Sequence, residues 1–183
     1  TRLGYAVERH PVDGDFLAAS GMQRVTNLIV RSKFGTGGPT IALNSHGDVV
    51  PPGAGWTHPP YAGDVANGRM YARGVAVSKS DIATFAFALL ALRHAAGHGA
   101  KLNGTFELHF TYDAEFGGLA WPQWLFEKKL TRPDYALGPG FSYSVVTAHN
   151  GCLQLEVTVH GKAAHGAMPE TGHDALQAAV AML

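Results

Sequence analysis

Apolar and polar positions along this chain come in short runs whose period switches repeatedly between two and about 3.6, the pattern of strands interleaved with helices. Residues 4–8 and 24–32 have the β-branched, alternating character of strands, and the polar run around Asp13-Gly14-Asp15 predicts a turn between them. After a Gly/Pro turn at 35–39, the run Thr40-Ile-Ala-Leu-Asn44 is short, apolar and bounded by turn residues, which predicts a buried strand. Residues 51–63 read as a Pro- and Gly-rich loop and residues 69–73 as a short strand. Ser78 and Asp81 have capping-box spacing ahead of Ile82, Phe85, Leu89 and Leu92, so a helix is predicted to start at Ser78 and to stop at Gly97. A strand over 102–111 puts Phe106, Leu108 and Phe110 on one face, followed by a short helix over 121–129 and a strand at 135–137.

Strands alternating with helices predict an α/β fold with a mostly parallel sheet flanked by helices. The texture changes near Ala148. Beyond it Leu153, Leu155, Val157 and Val159 alternate with Gln154, Glu156, Thr158 and His160, a strand with one wet face. Residues 1–148 are therefore expected to form one domain and residues 149–183 the start of a smaller α+β domain. The helical run from Asp174 to Leu183 carries no stop signal, so the chain is expected to end inside an element.

Composition narrows the picture by exclusion. The 183 residues are 46% hydrophobic, with 14 basic and 14 acidic side chains, so no net charge marks the chain for nucleic acid or an anionic membrane. No apolar run approaches the ~20 residues that span a bilayer, and a cytoplasmic location is expected. Cys152 is the single cysteine, which excludes an intrachain disulfide and a cysteine-rich zinc module; its apolar neighbours predict a buried, inert thiol.

Ligands of open α/β sheets bind beyond the carboxyl ends of the strands. Two such ends are polar here: His46-Gly47-Asp48 after the strand at 40–44, and Asp113-Ala114-Glu115 after the strand at 102–111. Imidazole and carboxylate are the usual ligands of zinc or manganese in hydrolytic sites, and a His-x-Asp triplet lets the carboxylate orient the imidazole from behind. A lone histidine in a turn more often caps a strand; a second acidic strand end in the same sheet reverses that preference.

Four motifs in order, SHGDVVP at 45–51, GRMYARG at 68–74, DAEFGG at 113–118 and HGKAAHGAMPETGHDAL at 160–176, resemble the metallopeptidase family of aminoacylase, acetylornithine deacetylase, succinyl-diaminopimelate desuccinylase and glutamate carboxypeptidase. The resemblance covers nearly the whole chain. It implies a catalytic domain followed by a lid that also forms a homodimer, and a metal-dependent hydrolase of a C–N bond in a small carboxylated substrate. It implies that His46 ligates the metal, that Asp48 orients it, and that Glu115 is a carboxylate ligand. It also implies that His165, from the lid motif, donates to the substrate carboxylate or oxyanion.

Three positions depart from that pattern. Ala114 stands where the family carries a glutamate general base, and a methyl group accepts no proton. Val77 matches the bridging aspartate, and Pro139 falls where a later acidic ligand is expected. Without the bridging carboxylate, two divalent ions ~3.5–4 Å apart would repel each other uncompensated. One divalent ion is therefore expected at most, zinc or manganese with cobalt admissible. Asp81 and His149 are secondary ligand candidates, against a helix cap and a hinge as their alternatives. His58, His94, His98 and His173 read as loop or helix-surface residues, and Trp56 as packing for its loop. Two other readings stay open: a non-catalytic binding protein that keeps the fold, and a mononuclear aminohydrolase acting on an aromatic or amidine carbon.

Overall fold

The computed structural model describes residues 2–20, 22–140, 144–148, 150–151, 153 and 155–182, and they fall into two compact units, Thr1–Tyr143 and Ser144–Leu183. The first is built on a five-stranded mixed sheet. Its strands are β1 (Glu8–Pro11), β2 (Thr26–Phe34), β3 (Thr40–His46), β6 (Gly104–Thr111) and β7 (Tyr135–Leu137), arranged in the order β1-β2-β6-β3-β7. β1, β2 and β6 pair antiparallel, whereas β6, β3 and β7 run parallel, so β3 and β6 end side by side with His46 opposite Thr111. That shared carboxyl edge brings the two polar motifs to one place.

Helix α2 (Lys79–Gly97) covers one face of the sheet. Its fully buried Leu89 packs with Val30, Phe34, Leu43 and Leu108, and Phe85, Leu92, Phe106 and Phe110 extend this core at its margin. The opposite face is covered by α1 (Gly14–Ser20) and α3 (Trp124–Glu127), where Val12, Val25, Ile29, Ala120, Trp124 and Leu125 are buried together. No helix among the described residues is long and apolar enough to cross a membrane.

Several local expectations are corrected. The Asp13-Gly14-Asp15 run opens a helix instead of a turn, because Phe16 and Leu17 find buried partners on the sheet face; such packing outweighs local turn preference. The first strand lies at Glu8–Pro11, where β2 supplies a partner, and residues 4–7 join no strand ladder. A two-stranded hairpin, β4 (Asp64–Ala66) with β5 (Arg69–Tyr71), turns at Asn67-Gly68, both at positive φ as a tight hairpin requires. The segment expected to be a strand at 153–159 shows no ladder among its described residues. There Leu153, Leu155 and Val157 are 81%, 77% and 66% exposed: an alternating pattern forms a strand only against a neighbour. In that second unit, the short helix α4 (Ala175–Val180) starts at Asp174, whose side chain accepts from the N–H groups of Leu176 and Gln177.

The second face of β6 is polar and nevertheless buried. Glu107 accepts from Arg31 Nε at 2.8 Å, from His109 Nε2 at 2.8 Å and from the Thr131 hydroxyl. Arg31 also donates to Glu8 and to the Leu130 carbonyl, tying β1, β2, β6 and the loop before β7 together. Burial pushes the Glu107 carboxyl up, but the hydrogen bonds from His109, Thr131 and Arg31 outweigh it and hold it down at about 2. A carboxyl depressed in the fold stabilises above its ordinary value of 4.5, and that contribution is lost as pH falls towards 2. Glu107→Ala is expected to cost about 3 kcal/mol at neutral pH, since it leaves Arg31 without its buried partner. The variant's stability, followed by denaturant unfolding between pH 7 and pH 2, should lack the part of the acid slope that Glu107 supplies in the unchanged protein.

Candidate active site

His46 is the last residue of β3, and its position is fixed through both backbone and ring. The backbone N–H donates to Ser78 Oγ at 3.3 Å, and the ring Nδ1 faces Asp48 Oδ1 at 3.2 Å and the Asp48 carbonyl at 3.1 Å. With both neighbours acceptors, Nδ1 carries the proton and Nε2 is left with its lone pair. The other carboxylate oxygen of Asp48 accepts the Glu115 N–H at 3.0 Å. One carboxylate thus joins the end of β3 to the turn that follows β6.

Gly47 is required by its neighbour: a Cβ there would stand 2.3 Å from the Tyr112 ring. Its carbonyl accepts from Lys79 Nζ at 2.6 Å and its N–H donates to the Thr111 carbonyl at 2.8 Å. Gly74, at φ +82°, lies so close that a Cβ would meet Val49 Cγ1 at 2.7 Å. The segment 46–49 is therefore clamped between β6 and the start of α2. Sequence reading missed Ser78 and Lys79 in these roles. Ser78 is fully buried and makes no capping hydrogen bond, so the expected capping box does not form; its hydroxyl serves His46 instead.

Asp113 is buried, and its Oδ2 accepts the Ala120 N–H at 2.5 Å while its carbonyl accepts from Phe116 and Gly118. Burial raises its carboxyl above the usual range and the charge of Asp48 adds to this, against the Ala120 hydrogen bond. It builds the turn, and its Oδ1 is buried without a hydrogen-bond partner. Ala114 and Glu115 lie in a single exposed 3-10 turn, Ala114–Phe116, and the Glu115 carboxylate makes no hydrogen bond or ion pair among the described residues.

A cleft of about 350 Å³ next to this turn is lined by Val49, Val50, Trp56, Arg73, Val77 and Glu115, among others. Val77, at the position matched to a bridging carboxylate, thus shares a wall with Glu115. Asp81 sits in the first turn of α2 with Oδ2 buried and unpartnered. His149 lies outside the described residues, as does Cys152. Among the described residues no three His, Cys, Asp or Glu side chains come together as a metal-holding group. The described donors do not fit a two-ion centre: no three of them gather, and Val77, on the cleft lining with Glu115, offers none.

His165 belongs to the second unit. Its Nδ1 accepts the Ala167 N–H at 3.2 Å, which places the ring proton on Nε2 as a free donor.

Comparison with known proteins identifies the family and the fold. The family model described as peptidase family M20/M25/M40 matches residues 42–181. A succinyl-diaminopimelate desuccinylase of Methylorubrum extorquens (strain PA1) is 34% identical over 185 residues, covering 92% of this chain and 44% of the relative. The chain therefore spans less than half the length of such relatives. Among solved structures, human carnosine dipeptidase 1 superposes with TM-score 0.58 at 21% identity, over 75% of this chain and 29% of that one. An M20 family metallo-carboxypeptidase from Sulfolobus solfataricus gives TM-score 0.58 at 20% identity, over 76% and 29%. These two share the fold: a central sheet flanked by helices, as in an M20 catalytic domain. Motif order, strand-end geometry and the family match converge, and this chain belongs to peptidase family M20/M25/M40, a family of metal-dependent hydrolases.

Proposed function

We propose that the protein carrying this chain hydrolyses the C–N bond of an amide-type group in a small carboxylated substrate, and that the site in this chain is impaired in turnover. The observation that carries the reading is the Asp48 bridge, which takes up His46 Nδ1, leaving the Nε2 lone pair, and pins the Glu115 turn beside it. In such a site a base next to Glu115 would take the proton of the attacking water. Residue 114, next to Glu115 on the exposed 3-10 turn, is the position that the resemblance gives to that base, and it is alanine.

His46 and Glu115 are the donors left for a single divalent ion, zinc or manganese; Asp81, the further candidate, joins them in no three-donor group among the described residues. His165 would donate Nε2–H to the developing oxyanion. Residues up to 148 act as the catalytic domain in this reading, and 149–183 begin a lid that pairs two copies. A second reading, a binding protein that has lost turnover, is favoured by one specific observation: the described donors never gather as a group of three.

Ala114→Glu distinguishes the two. In the whole protein supplied with Zn²⁺ or Mn²⁺, it is expected to raise amide hydrolysis of N-acyl amino acids by about 10²–10⁴. Unchanged, background-level hydrolysis across a panel of such substrates would favour the binding protein.

A further inference from the structure

Arg73 has unusual surroundings for a cation. Its guanidinium lies 5.2 Å from the centroid of the Trp56 ring, and its Nη2 donates to the Pro52 carbonyl at 2.9 Å. That same carbonyl accepts from Trp56 Nε1 at 2.8 Å, so a single oxygen locks cation and indole together. Backbone adds a third restraint, from the Arg73 N–H to the Pro60 carbonyl at 2.7 Å. Yet no carboxylate lies within ion-pair distance of Arg73 among the described residues, and its Nε is buried without an acceptor. A half-buried guanidinium held rigid and left without a counter-charge is costly unless something anionic completes it.

The cleft it lines says what that something is. Val49, Val50 and Val77 make apolar wall, and the Glu115 carboxylate stands elsewhere on the lining, outside ion-pair distance of Arg73. An anion is repelled at the Glu115 end and attracted at the Arg73 end. The cleft's volume of about 350 Å³ exceeds that of a small aromatic acid. Val77 matters most here, because an aspartate at that position would set a second carboxylate in the wall and oppose an anionic ligand.

We infer that Arg73, backed by Trp56, is the carboxylate anchor of this cleft, which takes a small monocarboxylate whose apolar body lies along Val49, Val50 and Val77. The inference rests on the proposed hydrolase site only in naming which end of its substrate is held, and it needs no metal. Arginine suits this role because its guanidinium carries five N–H donors, of which the Pro52 carbonyl takes one, and the indole beside it restrains the group.

The test is a titration of the whole protein, in the presence of a chelator, with phenylacetate and with phenylacetamide, followed by chemical-shift changes or calorimetry. Phenylacetate is expected to bind about tenfold or more tightly than the neutral amide. Arg73→Gln should bring that ratio to about one, and Arg73→Lys should recover only part of it. Val77→Asp leaves the Pro52 and Trp56 supports untouched and should also collapse the ratio, so the test survives if Arg73→Gln fails to fold. Equal affinities in the unchanged protein, no binding of either ligand, or a ratio retained in folded Arg73→Gln or Val77→Asp would overturn the anchor. Inactivity of Ala114→Glu leaves these ratios unaffected, so failure of the hydrolase reading and failure of the anchor are told apart.

Discussion

Two strands that run parallel and end together still leave their loops free to diverge, and the carboxylate of Asp48 is what holds them in this protein. One oxygen faces the His46 ring and the other takes the Glu115 backbone N–H, so a single side chain sets an imidazole tautomer and the start of a 3-10 turn. The remaining restraints serve the same end. Ser78 Oγ holds the His46 backbone from the entry to α2, Lys79 holds the Gly47 carbonyl, and the Tyr112 ring fills the space that only a glycine at 47 leaves open. A carboxylate so placed is worth more as an orienting group than as a ligand, since both of its oxygens already have partners.

The sheet behind this edge is stiffened differently on its two faces. Under α2 the packing is apolar, around Leu89 and Leu108. On the other face Glu107, His109 and Thr131 form a buried polar cluster that Arg31 ties to the edge strand. Every member of that cluster has a partner, which is the condition under which buried polar groups rigidify a fold instead of weakening it. Because Glu107 and His109 precede Thr111 and Asp113 along the chain, this cluster holds the strand that delivers the second half of the site.

How much of this was legible beforehand depended on the range of the interaction. The strand at 40–44 and the strand ending at Thr111 were readable because burial and turn residues bound them locally, and so were the polar ends at His46 and Glu115. Helix α2 was readable from Phe85, Leu89 and Leu92, but the role of Ser78 was not. Capping chemistry and a long-range hydrogen bond to His46, 32 residues earlier in the chain, use the same hydroxyl. Likewise, Glu107 and His109 have the alternation of a wet strand face, and only the distant Arg31 and Thr131 make that face a buried one. The strand expected at 153–159 failed for the converse reason: its alternation is real, but nothing in the chain's described residues pairs with it. Asn67-Gly68 was a local hairpin signal that went unread. Arg73 was legible only as a member of the motif at 68–74, since its surroundings come from Trp56, Pro52 and the cleft.

Chemically, the site combines a well-built anchor with missing complements. In the proposed site His46 and Asp48 serve as a metal-binding strand end, while Val77, Ala114 and Pro139 carry no oxygen donor or base where the family resemblance would put one. On this reading the edge has exchanged a second ion for an apolar wall. Metal stoichiometry tests that most directly, by elemental analysis of the whole protein saturated with Zn²⁺ or Mn²⁺ and by anomalous scattering from its crystals. The prediction is no more than one ion per chain, beside His46; two ions within about 4 Å of each other at this edge would contradict it.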